Sequence, residues 1–112
     1  MTDKQFLALF SDAIGINDRD AYVSDWALSS IWGDADDADI PPQRIEDLGA
    51  IWDVAHLSIR DIRRRTGLSQ VGFATRYCIP RRTVESWEAG DRSCPDYLRL
   101  LLAQDVGLYA RP

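Results

Sequence analysis

The chain has little with which to do covalent or metal chemistry. Its single histidine, His56, has no neighbouring partner for a metal ion. Its two cysteines, Cys78 and Cys94, lie sixteen apart outside any paired motif, which argues against zinc and leaves two reduced thiols as the expectation. No glycine-rich loop is present to cradle a phosphate. No serine, histidine and carboxylate stand at a spacing that supports nucleophilic catalysis, so neither enzyme activity nor a cofactor is expected. There is no secretory leader and no apolar run of roughly eighteen residues, so a cytoplasmic location is expected and a membrane partner is not. β-Branched residues are scattered without clean alternation, which speaks against strands. Internal repeats and low-complexity tracts are also missing.

What is there points to an all-α chain of one or two small domains. With 112 residues and 46% apolar composition it can form an ordinary compact core. A first helix is expected over 3–14, burying Phe6, Leu7, Leu9, Phe10 and Ala13. A second is expected over 19–32, capped by Asn17 or Asp18, with Tyr22, Val23, Trp26, Ala27, Ser30 and Ile31 at helical spacing and Gly33 at its end. Trp26 and Trp32, six apart, do not share a helix face closely, so one is expected in the core and the other at the surface. The aspartate-rich run at 33–39 resembles a calcium loop but lacks the glycine and distal glutamate of an EF-hand, and a solvated loop is the preferred reading. A third helix over 42–56 brings Ile45, Leu48, Ile51, Trp52 and Ala55 to one side and ends at His56, whose charge would favour a carbonyl terminus. It runs into Ser58 without a flexible linker, so the N-terminal helices are expected to pack on the C-terminal half of the chain.

Residues 58–90 carry most of the functional signal. Ser58 followed by Asp61 has a capping-box pattern, Ile59, Ile62 and Thr66 fall at helical spacing, and Gly67 suits the stop. Arg60, Arg64 and Arg65 then project from the remaining faces. Ser69 is the natural cap of the next helix, with Gln70 in its first turn, Leu68 placed to staple against Phe73, and Val71, Ala74 and Tyr77 as inward candidates. A third short helix begins at Pro80 or Arg81 and ends before Gly90, with proline tolerated where no intrahelical N–H is needed. The three together read as a helix-turn-helix that presents Arg81 and Arg82. An arginine fork matches the two acceptors of guanine or a pair of phosphate oxygens. Adjacent arginines cannot point the same way on a helix, so one would read a base and the other a phosphate, with the division open.

Residues 58 to about 103 resemble the lambda-repressor-like helix-turn-helix family, also called the XRE or Cro-repressor type, over somewhat under half of the chain. The likeness rests on Arg63 before Gly67, Leu68-Ser69-Gln70, Phe73-Ala74, Thr83-Val84, Trp87-Glu88-Ala89-Gly90, then Pro95 and a leucine-rich helix. It implies that the helix from Arg81 lies in the DNA major groove with Gln70 beside it. By position Arg81, Arg82 and Ser86 match base-reading places and Ser69 a phosphate-contacting one. Thr83 and Arg92, the only base of the following loop, complete the expected DNA-binding set. The resemblance further implies an internal ion pair between Arg63 and Glu88, a core containing Phe73, Val84 and Trp87, and a symmetric pair of chains on DNA. This sequence departs from the pattern at three places. Cys78 stands where a glycine is usual, Pro80 replaces a serine or threonine cap, and Glu85 lies inside the recognition helix, where it would accept from a cytosine amino group or repel phosphate.

Charge is unevenly divided. Residues 1–57 hold three basic and twelve acidic side chains, net −9, whereas residues 58–112 hold ten arginines and six acids, net +4, within a chain total of −5. An acidic N-terminal helical region, 1–57, and a DNA-binding domain, 58–112, are therefore expected. The acidic half would weaken non-specific attraction to DNA and make its salt dependence modest. The expected function is sequence-specific binding of double-stranded DNA by a homodimeric transcriptional regulator, a repressor. Two alternatives stay open: the antitoxin of a toxin–antitoxin pair, holding its partner through the acidic helices, and a protein-interaction module on a helix-turn-helix scaffold.

Overall fold

The computed structural model describes residues 1–33 and 39–112, and most of the aspartate-rich run lies outside them. Among the described residues the chain is all-helical: α1 (Asp3–Ile14), α2 (Arg19–Ala27), a 3-10 turn (Ser30–Trp32), α3 (Pro42–Ala55), α4 (Ile59–Thr66), α5 (Gln70–Tyr77), α6 (Arg81–Ala89) and α7 (Asp96–Asp105). No helix among them is long and apolar enough to cross a membrane. The chain divides into two compact units, the first over Met1–His56 and the second over Leu57–Arg111.

In the first unit, α1 opens with a complete capping box: Thr2 accepts from the Gln5 N–H, and the Gln5 side chain accepts from the Thr2 N–H. Asp18 caps α2. The core joins Phe6, Leu9, Phe10 and Ala13 of α1 with Tyr22, Val23 and Ala27 of α2 and Leu48, Ile51, Val54 and Ala55 of α3. The fully buried Tyr22 donates its hydroxyl hydrogen to the Leu9 carbonyl at 2.7 Å, which satisfies the one polar atom it carries inside. Gly49 lets α2 and α3 approach. A Cβ there would strike the Arg19 guanidinium, which pairs with Asp53 through contacts of 2.9 and 3.2 Å.

Several expectations for this unit are corrected. The second helix stops at Ala27 instead of running to residue 32. The Trp26 carbonyl accepts from the Ser29 N–H and the Trp32 indole N–H, the Ala27 carbonyl accepts from Arg44, and Ser29 caps a fresh turn. Side chains thus take the carbonyls that another helical turn would have used. Leu7 and Ile45 are exposed, because the stripe buried against α3 is narrower than the run of apolar residues. Neither tryptophan is wholly core or wholly surface. Both are half-buried and polar-anchored, Trp26 through Asp12 at 2.6 Å and Trp32 beneath the Arg44 guanidinium. His56 stacks on Trp52, and its Nε2 lies 2.8 Å from the Ala13 carbonyl, which requires the proton on that nitrogen.

The second unit is built from α4 to α7 around Ile59, Ile62, Phe73, Ala74, Val84, Leu102, Ala103 and Tyr109. Ser58 and Ser69 accept from the Asp61 and Gly72 N–H groups, and Gly67 and Gly90 close α4 and α6 in the left-handed conformation. Val71, an inward candidate, is half exposed. Trp87 is half-buried, so it flanks the core that Phe73 and Val84 fill. Tyr77 lies against Phe73 and donates to Asp105 at 2.6 Å; burial, then that hydrogen bond, raises its phenol pKa.

Candidate nucleic-acid interface

Helices α5 and α6 are joined by Cys78, Ile79 and Pro80. The direction of α6 is set by this turn and by one buried carboxylate. Cys78 sits at φ 56°, the only positive φ outside glycine among the described residues, and the Ile79 N–H closes on the Ala74 carbonyl at 2.9 Å. A side chain at this angle is strained, which is why glycine is the usual occupant. Pro80 supplies no side-chain cap, but its carbonyl accepts from Thr83 and Val84 at 2.9 and 3.3 Å. The first turn of α6 therefore keeps its N-terminal polarity uncovered by any capping side chain, beside Arg81 and Arg82.

The buried carboxylate is Glu88, whose side chain is 1% exposed. It accepts from Arg63 Nε and Nη2, each at 2.9 Å, and from Arg60 Nε at 3.3 Å, while Arg63 also donates to the Leu68 carbonyl. Gln70 is among the groups that help to lower the Glu88 pKa. The Arg63 hydrogen bonds hold the Glu88 carboxyl below the usual carboxylate range, against burial, which pushes the other way. The reciprocal contact raises the Arg63 pKa. One carboxylate thereby ties α4 to the end of α6.

The expected site residues fall into three settings. Arg81 and Arg82 are exposed in the first turn of α6, and Arg81 Nε donates to Glu85 Oε1 at 2.6 Å. Thr83 and Ser86 are half-buried on the same helix. Ser69 is exposed and engaged as the α5 cap, and Gln70 is half-buried in the first turn of that helix. Arg92 is exposed on a loop whose Asp91 and Arg92 N–H groups fold back onto the Ser86 carbonyl at 3.0 and 3.4 Å, which fixes its backbone to α6. One partnership at the site escaped the sequence reading: Arg81 with Glu85. It had a signal, the i,i+4 spacing of opposite charges.

This arrangement offers donors and a few hydroxyls on a short rigid helix whose apolar side is in the core. It can form hydrogen bonds to a polyanion or to groove edges. No family model, curated protein or solved structure matches the chain.

Proposed function

We propose that the chain is a sequence-specific DNA-binding transcriptional regulator that lays α6 in the major groove and represses by occupying its site. The observation that carries this reading is the pair of exposed arginines in the first turn of α6, on a helix immobilised from behind by the Arg63–Glu88 contact. Binding gains from such rigidity because less side-chain and backbone freedom is lost on association. The second unit's arginine excess supplies the phosphate attraction, and Ser69, Gln70, Thr83, Ser86 and Arg92 supply further hydrogen bonds. A homodimer would place two such helices on a palindromic site.

Selection from a random duplex pool, with wild-type protein and the Arg81→Ala/Arg82→Ala variant in parallel at near-physiological salt, tests the reading. A palindromic site enriched by wild type and lost by the variant supports it, as does a modest salt slope. Absence of enrichment by folded wild-type protein, or a slope implying eight or more released counterions, contradicts it. One observation favours a second reading: the acidic first unit leaves the apolar side chains of Leu7, Leu28 and Ile45 exposed, which suits contact with a basic protein partner, as in an antitoxin. Function that survives the double arginine variant would favour it.

A further inference from the structure

We infer that Glu85 is a positioning residue that commits Arg81 to reading guanine and leaves Arg82 to the phosphate backbone. This rests on the DNA-binding reading above and resolves the division between the two arginines that their adjacency leaves open.

The contact itself selects the mode of recognition. Glu85 Oε1 accepts from Arg81 Nε at 2.6 Å, one helical turn away. With Nε occupied, the donors left to Arg81 are the two terminal nitrogens, and that end of the fork is the one that meets guanine O6 and N7 in parallel. The Arg81 side chain is 66% exposed and Glu85 39%, so the fork reaches solvent while the carboxylate sits nearer the helix. In water such a pair contributes little. Against a base edge, with water excluded, the same contact is strengthened and the arginine arrives with fewer rotamers to lose.

Charge decides between base and phosphate. A phosphate approaching Arg81 also meets the Glu85 carboxylate, so the paired unit offers little net attraction to an anion. A guanine edge is uncharged and meets only the donors. Arg82, one residue further round the helix, is exposed and makes no ion pair among the described residues. Its full charge is available to the backbone, where one arginine releases about one counterion.

The test measures affinity for the selected site and for every single-base change in it. Wild type is compared with Arg81→Ala, Arg82→Ala, Glu85→Ala, Glu85→Gln and Arg81→Ala/Glu85→Ala, with folding checked by circular dichroism. Arg81→Ala is expected to abolish a guanine preference at one position of each half-site. Glu85→Ala is expected to weaken that same preference about three- to tenfold while raising affinity for all sequences. The double variant should be no less selective there than Arg81→Ala alone, because the two residues act as a unit. Glu85→Gln, which keeps an acceptor for Nε but removes the charge that turns phosphate away, should weaken the preference less than Glu85→Ala while raising affinity for all sequences as that variant does. Arg82→Ala should lower affinity evenly and reduce the salt slope by about one.

An unchanged guanine preference in folded Glu85→Ala overturns the inference. So does loss of a cytosine preference that Arg81→Ala leaves intact, since Glu85 would then be reading a base itself, or a base preference that disappears with Arg82. If wild-type protein enriches no site, the DNA-binding reading falls and this inference with it; if it enriches one and any of the other outcomes occurs, only the inference falls.

Discussion

Glu88→Ala should destabilise the second unit by about 2–4 kcal/mol. The carboxylate is 1% exposed and receives two Arg63 bonds of 2.9 Å, so its loss strands a guanidinium that is itself only 18% exposed. Breaking a fully buried pair costs about 3–5 kcal/mol. Partial access of water to Arg63 and its surviving bond to the Leu68 carbonyl reduce that figure, and the half-exposed Arg60 adds little. Glu88→Gln keeps the volume and an acceptor but removes the charge, for a loss of about 1–2 kcal/mol. Native-state hydrogen exchange at the Ile62, Phe73 and Val84 amides reads this unit's stability directly. The pH dependence follows from the depressed Glu88 pKa: its stabilisation is present above the ordinary value of 4.5 and is lost as pH falls through the lower folded value. The advantage of wild type over Glu88→Gln should accordingly be constant near neutrality and shrink in acid. A Glu88→Ala protein within about 0.5 kcal/mol of wild type, or an advantage that grows in acid, refutes the reasoning.

Cys78→Gly should stabilise the second unit by about 0.5–1 kcal/mol, because relief of the left-handed strain at φ 56° exceeds the extra freedom of the unfolded chain; a destabilised variant in urea melts contradicts this. In the native protein a thiol reagent should modify exposed Cys78 first. Cys94 is buried, and that burial pushes its thiol up to about 11, so it should react only on unfolding; equal rates would contradict this. Gly49→Ala should change stability by less than about 1 kcal/mol, since the helix propensity gained is offset by displacing Arg19 from Asp53. In an Arg19→Ala background the same change should stabilise by about 1 kcal/mol, and a loss there would show that the backbone, not the arginine, limits the space.

The chain by itself determined the features that depend on near neighbours. Ser58, Ser69, Asp18 and the glycines at 67 and 90 mark helix ends through contacts a few residues long, and the observed caps and stops lie there. Apolar spacing identified the residues able to fill the two cores, and the partition of charge was plain from composition. The Arg63–Glu88 pair joins residues 25 apart in sequence, and no local period links α4 to α6, so spacing alone did not point to it. Tertiary structure decided which members of each apolar stripe are covered: Phe6 but not Leu7, Phe73 but not Val71, Leu48 but not Ile45. It also ended α2 early, because Arg44 and Trp32 arrive from elsewhere to take its last carbonyls. The same holds at the candidate interface. Spacing places Glu85 one turn from Arg81, but Glu88 draws in Arg60 and Arg63 only once α4 and α6 meet. Burial and long-range hydrogen bonds belong to pairs of elements, and a single helix's periodicity does not specify which partner its face will meet.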